Sequence, residues 1–417
     1  MPSPESSPAP APFKAPITQP FWWLLLVASV VGVTWALFYT EAAQKWTGFS
    51  VMPIWEDTRA VLRTIDAHQY GIDVYHPNKA HVLHLYSNLW LRLGDFGLTR
   101  AQFIPTVLTV TYLFLVPALI MLRPTNRREF LWLLAFFSSN QILLGLYRAN
   151  SDLVIFGLLA GVVPCMLSKS RTTQALAPIL IVFCAALKYY PIIGACVIFT
   201  EPDKTRRRQL LLLVGIGFAL ALVAVYGELQ YLQGAPKPQS IAASLGAPIF
   251  YGMLGLSSST ASIVGYATGL IVSLAAWFWQ SGDDWIKTTA TDWRMKAFIL
   301  GAAILAGCYW VGGHWQYRLL ALYGMLPLML TPPREESMPP LLRRVNGPLR
   351  WILGFTLVSQ TIMALIFWSC NDPLGFNFVM RLWWWTYIGL QICYFLIAIY
   401  GTVLVARLFY ARLKEGF

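Results

Sequence analysis

The stretch FWWLLLVASVVGVTWALFYT, residues 21–40, is an apolar run of 20 residues without a charged side chain. At a rise of 1.5 Å per residue, a helix of this length spans about 30 Å, the thickness of a bilayer's hydrocarbon core. The run is too long and too aromatic for the core of a signal peptide, and no small-residue cleavage site follows it. It therefore predicts a membrane helix that stays in the chain.

The rest of the chain repeats this pattern. Of the 417 residues, 57% are hydrophobic and 12% are charged, about half the charged share of a typical soluble domain. This composition excludes a soluble enzyme, a DNA-binding protein and a secreted disulfide scaffold, and it predicts an all-α polytopic membrane protein. Further apolar runs lie near residues 101–122, 129–147, 152–168, 174–187, 190–201, 209–232, 256–281, 296–312, 318–332, 351–369 and 382–406. Together with the first run they predict about twelve transmembrane helices, including two hairpins at 174–201 and 296–332.

The first of these hairpins follows from the length of its segment. The chain between Arg171 and Lys204 is too long for one straight span and too short for two full ones. It contains the sequence Lys188-Tyr189-Tyr190-Pro191, and a proline disfavours helical structure at the residue before it. We therefore expect two helices that meet at this apex.

Charge sets the expected orientation. The net charge of +12 comes from 31 Lys and Arg against 19 Asp and Glu, and the basic residues flank apolar runs, which favours a membrane over nucleic acid as the partner. With a cytoplasmic N-terminus and twelve alternating helices, 20 of the 31 Lys and Arg lie in cytoplasmic connections. Residues 1–20, rich in Pro, Ala and Ser, are then a disordered cytoplasmic tail. Residues 21–417 form one transmembrane domain with an outer loop at 41–100 that carries amphipathic helices, and both termini are cytoplasmic.

This orientation gathers the polar groups that border apolar helices on the outer face. Ionisable groups at membrane depth are costly, and their convergence predicts a functional site. Glu56 and Asp57 open the outer loop, and a carboxylate held there can act as a general base toward a hydroxyl. Arg148 and Lys188 offer donors that suit phosphate oxygens. The alternatives are solvated loop acids, a structural ion pair between Arg148 and Asp152, and a Lys188 side chain that extends to the interface.

Metal binding has little support in the sequence. His68, His76, His81 and His84 lie close together, but no carboxylate completes a zinc set at suitable spacing. The six Cys lie mostly inside apolar runs without CxxC spacing, so we interpret them as small apolar side chains. No cofactor is predicted; Glu56, Asp57 and Asp73 could hold a divalent ion, although they form no DxD pattern.

Four segments in order along the chain resemble the polytopic C-type glycosyltransferases that use polyprenyl-phosphate sugars, in particular glycosyltransferase family 87 and the bacterial proteins grouped with it. The segments are Asp57 followed by Gly71-Ile72-Asp73-Val74-Tyr75, then Arg148-Ala149-Asn150-Ser151-Asp152-Leu153, then Leu187-Lys188-Tyr189-Tyr190-Pro191, and finally Tyr317-Arg318-Leu319. The resemblance spans about residues 20–335. In the mannosyltransferase branch of the family a late helix begins with Ser-Pro…His, where this chain has Gly312-Gly313-His314-Trp315, so the resemblance leaves the sugar open.

The resemblance implies an inverting transfer from a polyprenyl-phosphate sugar to a lipid or glycan acceptor at the outer face of a bacterial inner membrane. Asp57 would be the catalytic base, and Lys188, Arg148 and Arg318 would bind the donor phosphate. The remaining motif residues would contact substrate: Glu56, Asp73, Tyr75, Asn150, Asp152, Tyr190, His314 and Tyr317.

Two other functions use the same residues differently. A flippase or transporter of lipid-linked sugars needs the cationic headgroup site but no base, and it would carry charged residues through its helix centres. The sequence shows no such charges and no inverted repeat. A non-catalytic assembly subunit would leave the polar apices without a shared cavity.

Overall fold

A computed structural model describes residues 20–41, 44, 53–76, 84, 86–226, 244–278, 290–312, 314–330, 347–359, 362 and 373–415. The described residues are mainly helical. The α-helices are α1 (Pro20–Tyr39), α2 (Glu56–Gln69), α3 (Phe103–Met121), α4 (Arg127–Phe137), α5 (Asn140–Arg148), α6 (Ser151–Ala160), α7 (Val162–Leu167), α8 (Arg171–Lys188), α9 (Lys204–Val225), α10 (Ala247–Met253), α11 (Ser258–Phe278), α12 (Trp293–Val311), α13 (Leu322–Leu330), α14 (347–359) and α15 (Pro373–Lys414). Short 3₁₀ helices cover Leu91–Phe96, Arg100–Gln102, Tyr190–Thr200 and Gln316–Ala321.

Seven helices in the described part of the chain are long and apolar enough to cross a membrane. They lie at Pro20–Tyr39, Arg100–Met121, Arg171–Lys188, Lys204–Ala224, Ser258–Phe278, Trp293–Val311 and Trp384–Lys414. The pair α4–α5, bent by 50° at its break, makes an eighth if it counts as one span. The chain is therefore an all-α membrane protein, but the predicted total of twelve spans is not established.

Three of the predicted spans correspond to short helices, and a fourth, near residues 351–369, lies partly outside the described residues. The apolar segments Ser151–Leu167, Tyr190–Thr200 and Arg318–Leu330 are each shorter than a membrane span. Apolar runs show that a segment is buried, but they do not distinguish a span from a short helix packed inside a bundle.

The break at the predicted apex of residues 174–201 is visible in the backbone. Helix α8 ends at Lys188, Tyr189 has a positive φ of 33°, and a 3₁₀ helix starts at Tyr190 with Pro191 in its first turn. Because proline fixes φ near −65° and lacks an N–H, it suits the start of a helix and prevents α8 from continuing. The turn leaves Lys188 at the end of an otherwise apolar helix.

Helix α12 is the centre of the bundle. It packs against α13, α15 and the 3₁₀ helix Tyr190–Thr200. The approach of α12 to α13 requires glycine, because a Cβ atom on Gly324 would lie 2.7 Å from the carbonyl oxygen of Ala297. By contrast, α1, α9 and α11 expose large apolar side chains such as Trp35, Leu220 and Ile271 on the outside of the bundle. These exposed faces are the surface expected to meet lipid.

Two features were not predicted. Strand β1 (Ser244–Leu245) pairs antiparallel with β2 (His314–Trp315), which ties the chain before α10 to the chain after α12. Pro20, assigned by the sequence to the disordered tail, is the first residue of α1. Residues 1–19, 227–243 and 363–372 lie outside the described part of the chain.

Candidate functional site

The candidate site forms where several helices end. Helix α5 ends at Arg148, and Ala149 takes a left-handed conformation with a φ of 45° before α6 begins. Asn150 caps α6, because its Oδ1 accepts a hydrogen bond from the backbone N–H of Asp152 at 2.8 Å. The sharp turn therefore places Arg148, Asn150 and Asp152 at one end of the bundle.

Two hydrogen bonds connect the start of α2 to this turn. The backbone N–H of Trp55 donates to the carbonyl of Tyr147 at 2.7 Å, and the Thr58 hydroxyl donates to the carbonyl of Ala149 at 2.7 Å. Helix α2 is amphipathic: it buries Val61, Ile65 and the residues in line with them. Asp57 lies on this buried side, with the residue only 7% exposed.

Asp57 forms a partly buried ion pair with Arg148. The Nε atom of Arg148 donates to both carboxylate oxygens of Asp57, each at 3.0 Å, and its Nη2 donates to Oδ1. The Asn150 amide donates to Asp57 Oδ2. These hydrogen bonds fix the orientation of the carboxylate.

A second set of contacts surrounds Asp152. Its Oδ1 accepts a hydrogen bond from Lys188 Nζ at 2.7 Å and one from the Tyr190 hydroxyl at 3.0 Å. The guanidinium carbon of Arg318 lies 4.4 Å from the centre of the Tyr190 ring, a cation–π geometry. Lys188 Nζ also lies 3.4 Å from Asn150 Oδ1, so Asn150 joins the two sets.

An aromatic residue that sequence reasoning missed covers Lys188. The Lys188 ammonium lies 5.2 Å from the centre of the Tyr86 ring, which meets His84 edge-on at 6.0 Å, and His84 in turn meets Tyr75 at 5.7 Å. Burial, reinforced by the Asp57 and Asp152 carboxylates, raises the pKa of Tyr86 well above its ordinary value, so its hydroxyl stays protonated. Nothing in the sequence around Tyr86 marks it, because Lys188, whose ammonium its ring faces, belongs to a distant part of the chain.

Two further residues at the site also lacked a sequence signal. The Arg318 Nη1 atom lies 3.7 Å from the Cys308 sulfur, whereas the sequence indicated that Cys308 is only a small apolar side chain. The Oγ of Ser151 and the Oδ2 of Asp152 are buried, and neither has a hydrogen-bond partner among the described residues. A buried polar atom of this kind is a place where a ligand or water is expected to bind.

Two predicted acids lie elsewhere. The Glu56 carboxylate faces Arg63 Nη1 at 3.5 Å on the outer side of α2. Asp73 pairs with His76, with Oδ2 and Nδ1 2.6 Å apart on an exposed turn, and this hydrogen bond is the main cause that lowers the Asp73 pKa. No group of three or more His, Cys, Asp or Glu side chains that could hold a metal ion occurs in the described residues.

Of the two residues predicted near the turn of the 296–332 hairpin, the structure places His314 beside the site. Leu245 pairs with His314 in the small sheet. Burial, followed by the charges of Arg318 and Lys188, lowers the His314 pKa well below its ordinary value, so its ring is neutral and near those cations. The Tyr317 side chain lies outside the described residues.

A cavity of about 400 Å³ opens beside this cluster. Its walls are mostly apolar, and Asp57 and Ser151 are among the residues that line it. Asp57 therefore borders the cation cluster on one side, through Asn150, and an apolar cavity on the other.

Further buried charges lie at the opposite ends of the helices. Arg207 Nη1 donates to the Glu201 carbonyl at 2.8 Å, Lys296 Nζ donates to the Thr200 hydroxyl at 2.9 Å, and Arg412 pairs with Glu415 at 2.7 Å. Arg412 Nε also donates to the Phe199 carbonyl at 2.9 Å. These contacts join the starts of α9 and α12 and the end of α15 to the end of the 3₁₀ helix Tyr190–Thr200, which is a structural role.

The chain was compared with protein-family models, curated proteins and solved structures, and none of the three comparisons found a match.

Proposed function

We propose that this protein is an inverting glycosyltransferase that moves a sugar from a polyprenyl-phosphate donor to a lipid or glycan acceptor, as its resemblance to glycosyltransferase family 87 implies. One observation carries the proposal: a carboxylate that borders a cavity is linked by a single amide to a buried ammonium. Asn150 Nδ2 donates to Asp57, and Asn150 Oδ1 lies 3.4 Å from Lys188 Nζ. A base and a phosphate ligand are thus held side by side.

The chemistry assigns one proton transfer to Asp57. The oxygen of the acceptor hydroxyl attacks the anomeric carbon of the donor, and the bond from that carbon to the phosphate oxygen breaks. The electron pair leaves with polyprenyl phosphate, while Asp57 takes the hydroxyl proton. Configuration at the anomeric carbon is inverted because the nucleophile enters opposite the leaving group.

Arg148 acts in this scheme as a positioning residue. Its guanidinium is engaged by the Asp57 carboxylate, so it holds the base in a fixed orientation. The donor phosphate is then the partner of Lys188 and Arg318. The cluster has three cations and two carboxylates: Arg148, Lys188 and Arg318 against Asp57 and Asp152. This surplus of positive charge favours an anionic leaving group.

The proposed setting is the outer face of a bacterial inner membrane, with both termini cytoplasmic. The exposed apolar faces of α1, α9 and α11 support a membrane-embedded bundle. The positive-inside distribution of Lys and Arg supports the orientation. The proposal requires no metal ion.

The test uses purified protein with radiolabelled polyprenyl-phosphate mannose, glucose or arabinose and a crude lipid extract of the source cell. Wild type and Asp66→Asn should give labelled product, and Asp57→Asn should give none. Asp66 is a matched control, because it lies on the same helix and also pairs with an arginine, Arg100, at 2.6 Å. An active Asp57→Asn variant removes the residue from the role of base.

The flippase alternative has its own outcome. Binding of all three donors without transfer to any acceptor, combined with movement of polyprenyl-phosphate sugar across proteoliposomes, would replace the transferase proposal.

A further inference from the structure

The cavity beside Asp57 has the form of a groove on one stripe of α3. The residues that line it from this region, Gln102, Thr106, Thr109 and Leu113, recur every three to four positions. This spacing places them on one face of the helix. The stripe begins at Gln102, the residue before α3, and covers 12 residues to Leu113; its ends are therefore about 16 Å apart along the helix axis. Apart from Asp57 and Ser151, the opposite walls are almost entirely apolar.

The groove is open along part of its length. Leu113 is 37% exposed, and it lies on a helix whose outer surface carries exposed apolar side chains. An alkyl or prenyl chain entering from the membrane would meet mostly apolar surface, with the polar side chains of Gln102, Thr106 and Thr109 on the α3 side. Its polar end would lie at Asp57 and at the buried Ser151 Oγ.

Two lipid chains could occupy such a groove, that of the donor and that of the acceptor. The side chains proposed to bind the donor phosphate, Lys188 and Arg318, are not among the described residues that line it, whereas the proposed base is. A chain in the groove therefore delivers its polar end to Asp57 rather than to the phosphate ligands. This arrangement suits a nucleophile.

From this geometry we infer that the acceptor is a lipid whose hydrocarbon chain occupies the groove between α2 and α3 and whose hydroxyl reaches Asp57. The inference rests on the proposed function and narrows its acceptor from a lipid or glycan to a lipid. The hydroxyl oxygen forms the new bond to the anomeric carbon, Asp57 takes its proton, and polyprenyl phosphate leaves with the electron pair.

The kinetic test compares two leucines of α3. Leu113→Trp fills the groove, whereas Leu108→Trp places the same side chain on the exposed face, where Leu108 is 48% exposed and does not line the groove. With radiolabelled polyprenyl-phosphate mannose, glucose or arabinose, whichever supports transfer, and the crude lipid extract, Leu113→Trp should raise the half-saturating lipid concentration about tenfold or more. Its donor KM should stay unchanged, and Leu108→Trp should match wild type. A rise in donor KM alone would assign the groove to the donor chain and overturn the inference.

Occupancy is tested separately from catalysis. A dodecyl mannoside that carries a diazirine at the end of its chain is photolysed with Asp57→Asn protein, and the labelled peptides are mapped by mass spectrometry. Labels on residues 102–113 are expected in this variant and not after Leu113→Trp is added. Labels elsewhere, with transfer intact in wild type, would overturn the groove assignment and leave the proposed function standing. Labels in the groove without transfer by wild type to any acceptor would overturn the proposed function, and with it the assignment of the bound lipid as an acceptor.

Discussion

The Nε atom of Arg148 lies 3.0 Å from each carboxylate oxygen of Asp57, although 91 residues separate the two in the sequence. The same helix, α2, carries another such pair, in which Asp66 contacts Arg100 at 2.6 Å. The two pairs differ in burial: the Arg148 side chain is 28% exposed and that of Arg100 is 60% exposed. They therefore allow the energy of a sheltered pair to be compared with that of a surface pair.

A double-mutant cycle on Asp57→Asn and Arg148→Met should show a coupling energy in the upper part of the usual range of about 0.5–3 kcal/mol. The reason is that removing one partner leaves the other charge buried and poorly solvated. The cycle on Asp66→Asn and Arg100→Met should give about 0–1 kcal/mol, as expected for exposed pairs. Denaturant unfolding in detergent measures both cycles.

The transfer kinetics of Arg148→Met test the role of this residue in catalysis. Arg148→Met should lower kcat with little change in donor KM, because its guanidinium positions the base and does not bind the donor. A large rise in donor KM with kcat unchanged would return Arg148 to the phosphate-binding group.

Variants of the Lys188–Asp152 pair test whether Lys188 is needed for stability, for transfer activity or for both. Asp152 is fully buried, so Lys188→Met should leave an uncompensated carboxylate and destabilise the protein by about 3–5 kcal/mol. Adding Asp152→Asn removes that charge and should restore most of the unfolding midpoint. Transfer should remain absent in the double variant, because the proposed phosphate ligand is still missing.

Lys169→Met provides the control for this prediction. Lys169 is exposed, and its substitution should change the free energy of unfolding by no more than about 0.5 kcal/mol. Recovery of transfer together with stability in Lys188→Met/Asp152→Asn would show that Lys188 serves only to neutralise Asp152.

The sequence predicted more of the site than of the architecture around it. Its motifs singled out Asp57, Arg148 and Lys188, and all three lie in one cluster in the structure. Turn-forming and polar residues at the ends of apolar helices give this signal locally. Which residue pairs with which is decided by packing, so the bond between Arg148 and Asp57 and the position of Tyr86 over Lys188 had no sequence signal.

The number of spans is not established for a related reason. Residues 152–168 form one apolar run in the sequence, but the helix is interrupted at Gly161 and its two parts, α6 and α7, are together shorter than a span. The two-residue strands β1 and β2 are too short for any alternation of side chains to indicate them.

The absence of a side chain at Gly157 allows α6 to approach α3 closely. A Cβ atom at this position would overlap the carbonyl group of Leu113, the residue at the far end of the groove. Gly157→Ala should therefore push the helices apart, destabilise the protein by about 1–3 kcal/mol and raise the half-saturating concentration of acceptor lipid.

Gly32→Ala is the matched control in α1, where no atom lies within 4 Å of the added methyl group. The free energy of unfolding of that variant should equal that of wild type or exceed it by up to about 1 kcal/mol. Equal stability of the two variants in thermal unfolding would contradict the close approach of α3 and α6.

His84 predicts a pH dependence of stability. Burial lowers its pKa from an ordinary value of 6.5 to about 4, and the ring nitrogen Nε2 lies 3.0 Å from the carbonyl of Ser87, to which only a protonated nitrogen can donate. Because burial lowers the pKa, the ring of the folded protein is neutral above about pH 4, with its hydrogen on Nε2, and the unfolded chain binds up to one more proton between pH 4 and 6.5. Stability from His84 should be complete above pH 6.5 and decline as the pH falls to 4, by about 3 kcal/mol at most. His84→Gln keeps a side-chain donor but cannot titrate, so its unfolding midpoint should lose this part of the pH dependence. An unchanged slope between pH 4 and 6.5 in the variant would assign the acid sensitivity to other groups.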